Sequence, residues 1–124
     1  MTLIAKTILK QVEKQICKSN GLIDSEKIKF CLNYNSNELF FEIKGRTNEG
    51  KVVEFQSKKV PISGEGAEKW AQISGLLQRL KELTNADELH FVDATIDTKQ
   101  GGFNCEVFFI KDGIKKFKTT FLSI

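Results

Sequence analysis

The chain has one histidine, His90, and three cysteines, Cys17, Cys31 and Cys105. Nucleophilic catalysis through His90 would need a serine or cysteine beside it and an acid to orient the ring. Asp87 and Asp93 are near in sequence, but on a strand the side chains at 90 and 93 point to opposite faces. Spacing therefore assembles no triad, and His90 reads as a structural or exposed histidine. The cysteines are odd in number and form no CxxC pair, whereas a zinc site wants four closely spaced ligands. They read as buried or half-buried thiols of a reducing compartment, with no disulfide. Asp93 and Asp97 share a strand face, a spacing compatible with a hard cation, but no further oxygen ligands accompany them. Gly64-Glu65-Gly66 precedes a helical pattern without the third glycine of a dinucleotide fingerprint or the GK[ST] of a phosphate loop. Glu65 and Glu68 would repel a phosphate there. The expectation is no catalytic, cofactor or metal site, and a protein that is not an enzyme.

Two aromatic residues stand on otherwise polar strand faces. Phe40 lies among Glu38, Glu42 and Lys44, and Phe108 among Asn104, Glu106 and Ile110. Exposed aromatics flanked by charge are typical interface anchors; the alternative is a second covering layer or a chain dimer that buries them. An RNA-reading sheet would interleave its aromatics with Arg and Lys, and these glutamates would repel a phosphate backbone, so no nucleic acid is expected. Charge is mildly positive at +3 and unevenly spread. Residues 1–60 hold eleven Lys/Arg against seven Asp/Glu, and residues 61–124 hold eight against nine. Basic groups fall at Lys6, Lys10, Lys14 and Lys18, at Lys58-Lys59, and at Lys115-Lys116-Lys118. An acidic set, Glu82, Asp87, Glu88, Asp93 and Asp97, reads as a patch for a basic protein or as one polar edge.

The elements that must position these residues follow from hydrophobic period. Ile4, Ile8, Leu9, Val12 and Ile16 predict an amphipathic helix over 2–18, stopped by Ser19-Asn20-Gly21. Alternating runs predict strands at 27–34, 38–44 and 51–60, joined by short turns into an antiparallel meander. Trp70, Ile73, Leu76, Leu77, Leu80 and Leu83 predict a helix over 66–84 whose stripe docks on the sheet with Phe30, Phe41 and Phe55. Strands are predicted at 89–97, 103–111 and 115–123, with Asp112-Gly113 as a hairpin turn. In the first of these, Leu89 and Phe91 would share one face, and His90, Val92, Ala94 and Ile96 the other. The whole reads as one α+β domain over 1–124, an antiparallel sheet with two helices in the order α-βββ-α-βββ. No apolar run reaches a membrane span and the N-terminus has no signal-peptide core, so a cytoplasmic protein without membrane association is expected.

This order of elements, the Trp70-Ala71-Gln72-Ile73 helix through Leu83, and the Gly101-Gly102-Phe103-Asn104-Cys105-Glu106-Val107-Phe108-Phe109 strand after it resemble the immunity proteins of bacterial polymorphic toxin systems, including contact-dependent growth inhibition. The resemblance implies tight binding of a cognate toxin domain and blockade of its active site; no family residue maps by motif. The chain departs from the acidic character of many nuclease inhibitors by being slightly basic. The other reading is a secretion chaperone-like homodimer holding a segment of a partner protein. The oligomeric expectation is accordingly monomer or homodimer.

Overall fold

The computed structural model describes residues 3–62 and 71–123, with side chains at 6, 7, 9–62 and 78–123. The element order is α1 (Leu3–Ser19), β1 (Asp24–Asn33), β2 (Glu38–Arg46), β3 (Val52–Gln56), β4 (Val60–Pro61), α2 (Ala71–Thr84), β5 (Glu88–Asp97), β6 (Gly102–Lys111) and β7 (Ile114–Ser123). The α+β class and the predicted order hold, with two differences of detail. The predicted 51–60 strand divides into β3 and β4, because Ser57 interrupts the ladder. The Ser57 Oγ accepts the Phe41 N–H at 2.8 Å, and the Ser57 N–H donates to the Phe41 carbonyl at 2.8 Å. The α2 prediction over 66–84 is met over Ala71–Thr84; Trp70 lies outside the described residues, as do the side chains of Ile73, Leu76 and Leu77.

All the strands join one antiparallel sheet in the order β3-β2-β1-β5-β6-β7, with β4 also paired to β2. Each meander is a set of sequence neighbours, as short turns require. The two meet at β1 and β5, where Phe30 faces Ala94 and Leu32 faces Val92. Directly paired residues share a face, so register sorts the sheet into two sides. One side carries Ile28, Phe30, Leu32, Leu39, Phe41, Ile43, Val92, Ala94, Phe103, Cys105, Val107 and Phe109, all buried. Leu9 and Cys17 of α1 and Leu80 of α2 belong to the same cluster. Both helices therefore cover that side, as one-sided apolar alternation demands. Leu80 is fully buried there, Phe30 packs edge-on to Phe41 and Phe103 at 6.4 and 6.3 Å, and Phe55 is half-buried at the rim.

Local chemistry closes the elements. Gly21, at φ 72°, ends α1: the Leu22 N–H reaches the Cys17 carbonyl at 2.9 Å and the Gly21 N–H the Lys18 carbonyl at 3.5 Å. That is a Schellman cap, and it sends Leu22 into the core. Asp112 and Gly113 both take positive φ, 52° and 76°, which is the two-residue turn that the Asp-Gly pair predicts.

Candidate interaction face

Among the described residues, neither helix covers the other side of the sheet. From β2 to β7, one row of paired residues runs Glu38, Asn33, Phe91, Phe108, Phe117. The next runs Phe40, Cys31, Asp93, Glu106, Thr119, and a third runs Glu42, Lys29, Thr95, Asn104, Phe121. The rows place an aromatic strip beside a charged centre.

The strip consists of Phe91, Phe108 and Phe117, exposed by 40, 46 and 51 %. Phe91 meets Phe108 edge-on at 6.3 Å between ring centroids, and Phe108 meets Phe117 at 4.6 Å with the rings tilted. Such pairs stabilise by about 0.5–1.5 kcal/mol beyond their area, which holds the three rings as one surface. The predicted anchor Phe108 is therefore the middle of a strip, whose other two members the sequence reading did not select. Phe91 was expected on the face of Leu89. Instead the β5–β6 register shifts between Leu89 and Phe91, and His90 is the bulged residue. The bulge turns Leu89 inward with Val92 and sends Phe91 outward. His90 itself is half-buried, with its Nε2 3.5 Å from the Glu88 carboxylate and its carbonyl accepting the Tyr34 N–H.

The other predicted anchor, Phe40, lies half-buried on the same face, with the Lys59 ammonium 5.5 Å from its ring centre. It is separated from the strip by Cys31 and Asp93 along its row. The charged centre comprises Lys29, Glu42, Asp93 and Glu106. Lys29 pairs with Glu42 at 3.7 Å. Burial works against the Lys29 charge, but Asp93, Cys31, Glu42 and Glu106 outweigh it and hold its pKa above the ordinary value. Asp93 and Glu106 are direct cross-strand partners, so two like charges face each other, an arrangement that costs stability. With Lys27 lining the depression beside it, three carboxylates stand against two ammoniums, which leaves this centre weakly acidic. Beside it, Lys27, Lys29, Asp93, Thr95, Asn104 and Thr119 help line an open depression of about 380 Å³.

The acidic set selected from sequence does not form one patch. Glu82 lies on α2, bonded to Gln78 at 3.3 Å. Asp87 accepts the Asp112 N–H at 2.8 Å and so braces the β6–β7 turn. Asp97 accepts from the Gln100 N–H, the Gln100 side chain and Asn104 at 3.0, 2.8 and 3.0 Å; these hydrogen bonds lower its pKa and tie off the β5–β6 turn. Glu88 is exposed near His90. Only Asp93 joins the central cluster, and its partners Glu42 and Glu106 come from other strands. Long-range pairing brings them together, and no spacing within the chain carries that signal.

Cys17, Cys31 and Cys105 are all free and buried. Cys31 lies on the uncovered face with its Sγ 3.5 Å from Glu42; burial, then Asp93 and Glu42, push its thiol up to about 12. Burial pushes the Cys105 thiol to about 12 as well. Among the described residues no group of three or more His, Cys, Asp or Glu is placed to hold a metal ion, and no helix is long and apolar enough to cross a membrane. No protein-family model, curated protein or solved structure matches the chain at a significant level.

Proposed function

We propose that this protein is a cytoplasmic, non-catalytic binding protein that neutralises a cognate bacterial toxin domain, and that it does so with the uncovered face of its sheet. The observation that supports this reading best is the Phe91–Phe108–Phe117 strip, contiguous and about half-exposed beside an acidic centre. Exposed apolar surface costs solvation free energy unless something covers it, and a rigid aromatic strip loses little entropy when it is covered. The dimensions also suit a protein partner. Five strands of nine or ten residues, about 4.8 Å apart and some 30 Å long, present roughly 700 Å², near the ~800 Å² that one side of a stable interface contributes.

The strip supplies the apolar anchor and the centre supplies the charge. Glu42, Asp93 and Glu106 would meet lysines or arginines of a basic toxin surface, speeding encounter, while the phenylalanines slow dissociation. The slightly basic whole-chain charge is no obstacle, because the local field at the face is what an approaching partner meets.

Co-expression with the toxin domain encoded beside its gene tests the proposal. A one-to-one complex and restored cell survival are expected. Phe108→Ala should weaken the complex by about 1–4 kcal/mol, chiefly through off-rate. Failure to bind or protect against any neighbouring toxin domain would refute the toxin reading, and an obligate dimer holding an unfolded partner segment would replace it with the chaperone reading.

A further inference from the structure

The two edges of the sheet differ. The β3–β4 edge is short and interrupted: five residues, a break at Ser57, then Val60–Pro61, whose proline offers no N–H. The β7 edge runs ten residues, Ile114–Ser123, and Ile114 through Thr119 are exposed without a break. From outside β6, its described hydrogen bonding is one contact at its end, the Arg79 guanidinium on the Ser123 carbonyl. Among the described residues, the rest of that edge presents a row of backbone donors and acceptors with no partner outside β6.

Its side chains are strongly biased. β7 holds Lys115, Lys116 and Lys118 and no acidic residue. By register, Lys116 and Lys118 lie opposite Phe109 and Val107 on the helix-covered side, and Lys115 lies opposite Ile110 on the uncovered side. Among the described ion pairs none involves these three lysines. Between them Phe117 continues the aromatic strip to the rim, and Ile114 is 59 % exposed. Pairing of β7 with β7 of a second copy would bring six lysines to one seam with no counter-charge. The same lysines that oppose self-pairing favour an acidic strand, which is discrimination by repulsion of the wrong partner.

We propose that the β7 edge extends the sheet by accepting an extended acidic segment of the partner protein as an added strand. Backbone hydrogen bonds to Ile114–Leu122 supply affinity. Alternate carboxylates of that segment face Lys116 and Lys118, and an apolar residue on the other side packs on Phe117. The proposal rests on the protein-binding reading above and names how part of the partner docks.

A synthetic nine-residue peptide in which Glu alternates with Val and Phe, acetylated and amidated at its ends, tests this on the full chain. Its counterpart carries Lys for every Glu. In 50 mM salt the Glu peptide should bind at least tenfold more tightly than the Lys peptide, and the gap should narrow in 500 mM salt. Hydrogen exchange should slow at β7 amides. The Lys116→Glu, Lys118→Glu double variant, which changes exposed positions only, should reverse the preference. Equal binding of both peptides, no binding, protection of another strand, or an unreversed preference would overturn the proposal. So would a dimer of the unliganded protein with β7 amides already protected. A toxin complex that forms while β7 amides exchange freely would overturn the strand addition alone and leave the proposed function standing.

Discussion

Glu106→Gln should make the protein more stable and a worse binder at once. Glu106 and Asp93 are direct partners across β5 and β6 on the uncovered face, so their Cβ atoms are about 5 Å apart. Two unit charges as close as those Cβ atoms would repel by ~0.8 kcal/mol in water and by ~3 kcal/mol at the effective dielectric of a protein surface, and these are upper bounds because the exposed carboxylates can splay apart. Lys29 offsets part of this, because its ammonium feels both carboxylates while also pairing with Glu42. The net relief on neutralising Glu106 should therefore be ~0.5–1 kcal/mol, which for a domain of this size raises Tm by roughly 2–5 °C. The gain should shrink in 1 M salt, where the Debye length is about 3 Å. Glutamine keeps the side-chain length, so packing is unchanged. Thermal unfolding at low and high salt gives the first half of the test, and association kinetics with the co-purified partner gives the second. Binding should weaken about three- to tenfold, through a slower on-rate at low salt. A Glu106→Gln protein that melts lower, or that binds as tightly as the parent, would refute the argument that this pair is retained for a partner at the expense of stability.

Other perturbations check the frame that holds the face. Leu80→Ala removes a fully buried side chain and should cost ~2–5 kcal/mol in urea unfolding; a loss below about 1 kcal/mol would mean α2 is not docked as described. Thiol alkylation at pH 8 should be very slow in the native protein and complete in denaturant, since a pKa of about 12 leaves Cys31 and Cys105 almost wholly protonated; an intramolecular disulfide detected by mass spectrometry would contradict three separate buried thiols. Glu13 is half-buried on α1, and burial raises its carboxyl pKa above the ordinary value despite the Ser25 hydrogen bond. A raised folded-state pKa contributes stability below the unfolded pKa and loses it as pH rises through the folded value, so the ionised carboxylate is a burden at pH 7. Glu13→Gln should accordingly stabilise at pH 7 and make little difference below pH ~4; a Gln variant less stable at pH 7 would reverse that sign.

The fold was legible because it is written in short-range signals. Alternation at Ile28, Phe30 and Leu32 and at Leu39, Phe41 and Ile43 places each strand within a few residues, and Asp112-Gly113 defines its turn through the one backbone shape it favours. Ser57 was not legible as an interruption, since its effect depends on reaching Phe41 of a neighbouring strand. The candidate site was legible only in part for the same reason. Phe108 and Asp93 stand out within their own segments. Their neighbours Phe117, Glu42 and Glu106 become neighbours through the pairing of β6 with β7, of β1 with β2, and of β5 with β1 and β6. Conversely, Asp87, Asp97 and Glu82 are near Asp93 in the chain, but the two aspartates are engaged at turns and the glutamate on a helix.

Phe91 marks where local reading meets its limit and also where it could have gone further. Leu89, Val92, Ala94 and Ile96 cannot all face one side of a regular strand, because Leu89 and Val92 are three residues apart and the period is two. Discarding Leu89 from the core leaves Phe91 beside it and hides the strip. Retaining both Leu89 and Val92 requires one extra residue between them, and the structure places that residue at His90. A bulge leaves its extra residue outside the regular ladder and re-aims the side chains that follow. Here it lets β5 keep an unbroken apolar side under the helices while bringing Phe91 into edge contact with Phe108. A bulge is over-represented where a side chain must be re-aimed for function, and the side chain re-aimed here completes the aromatic strip on which the binding reading rests.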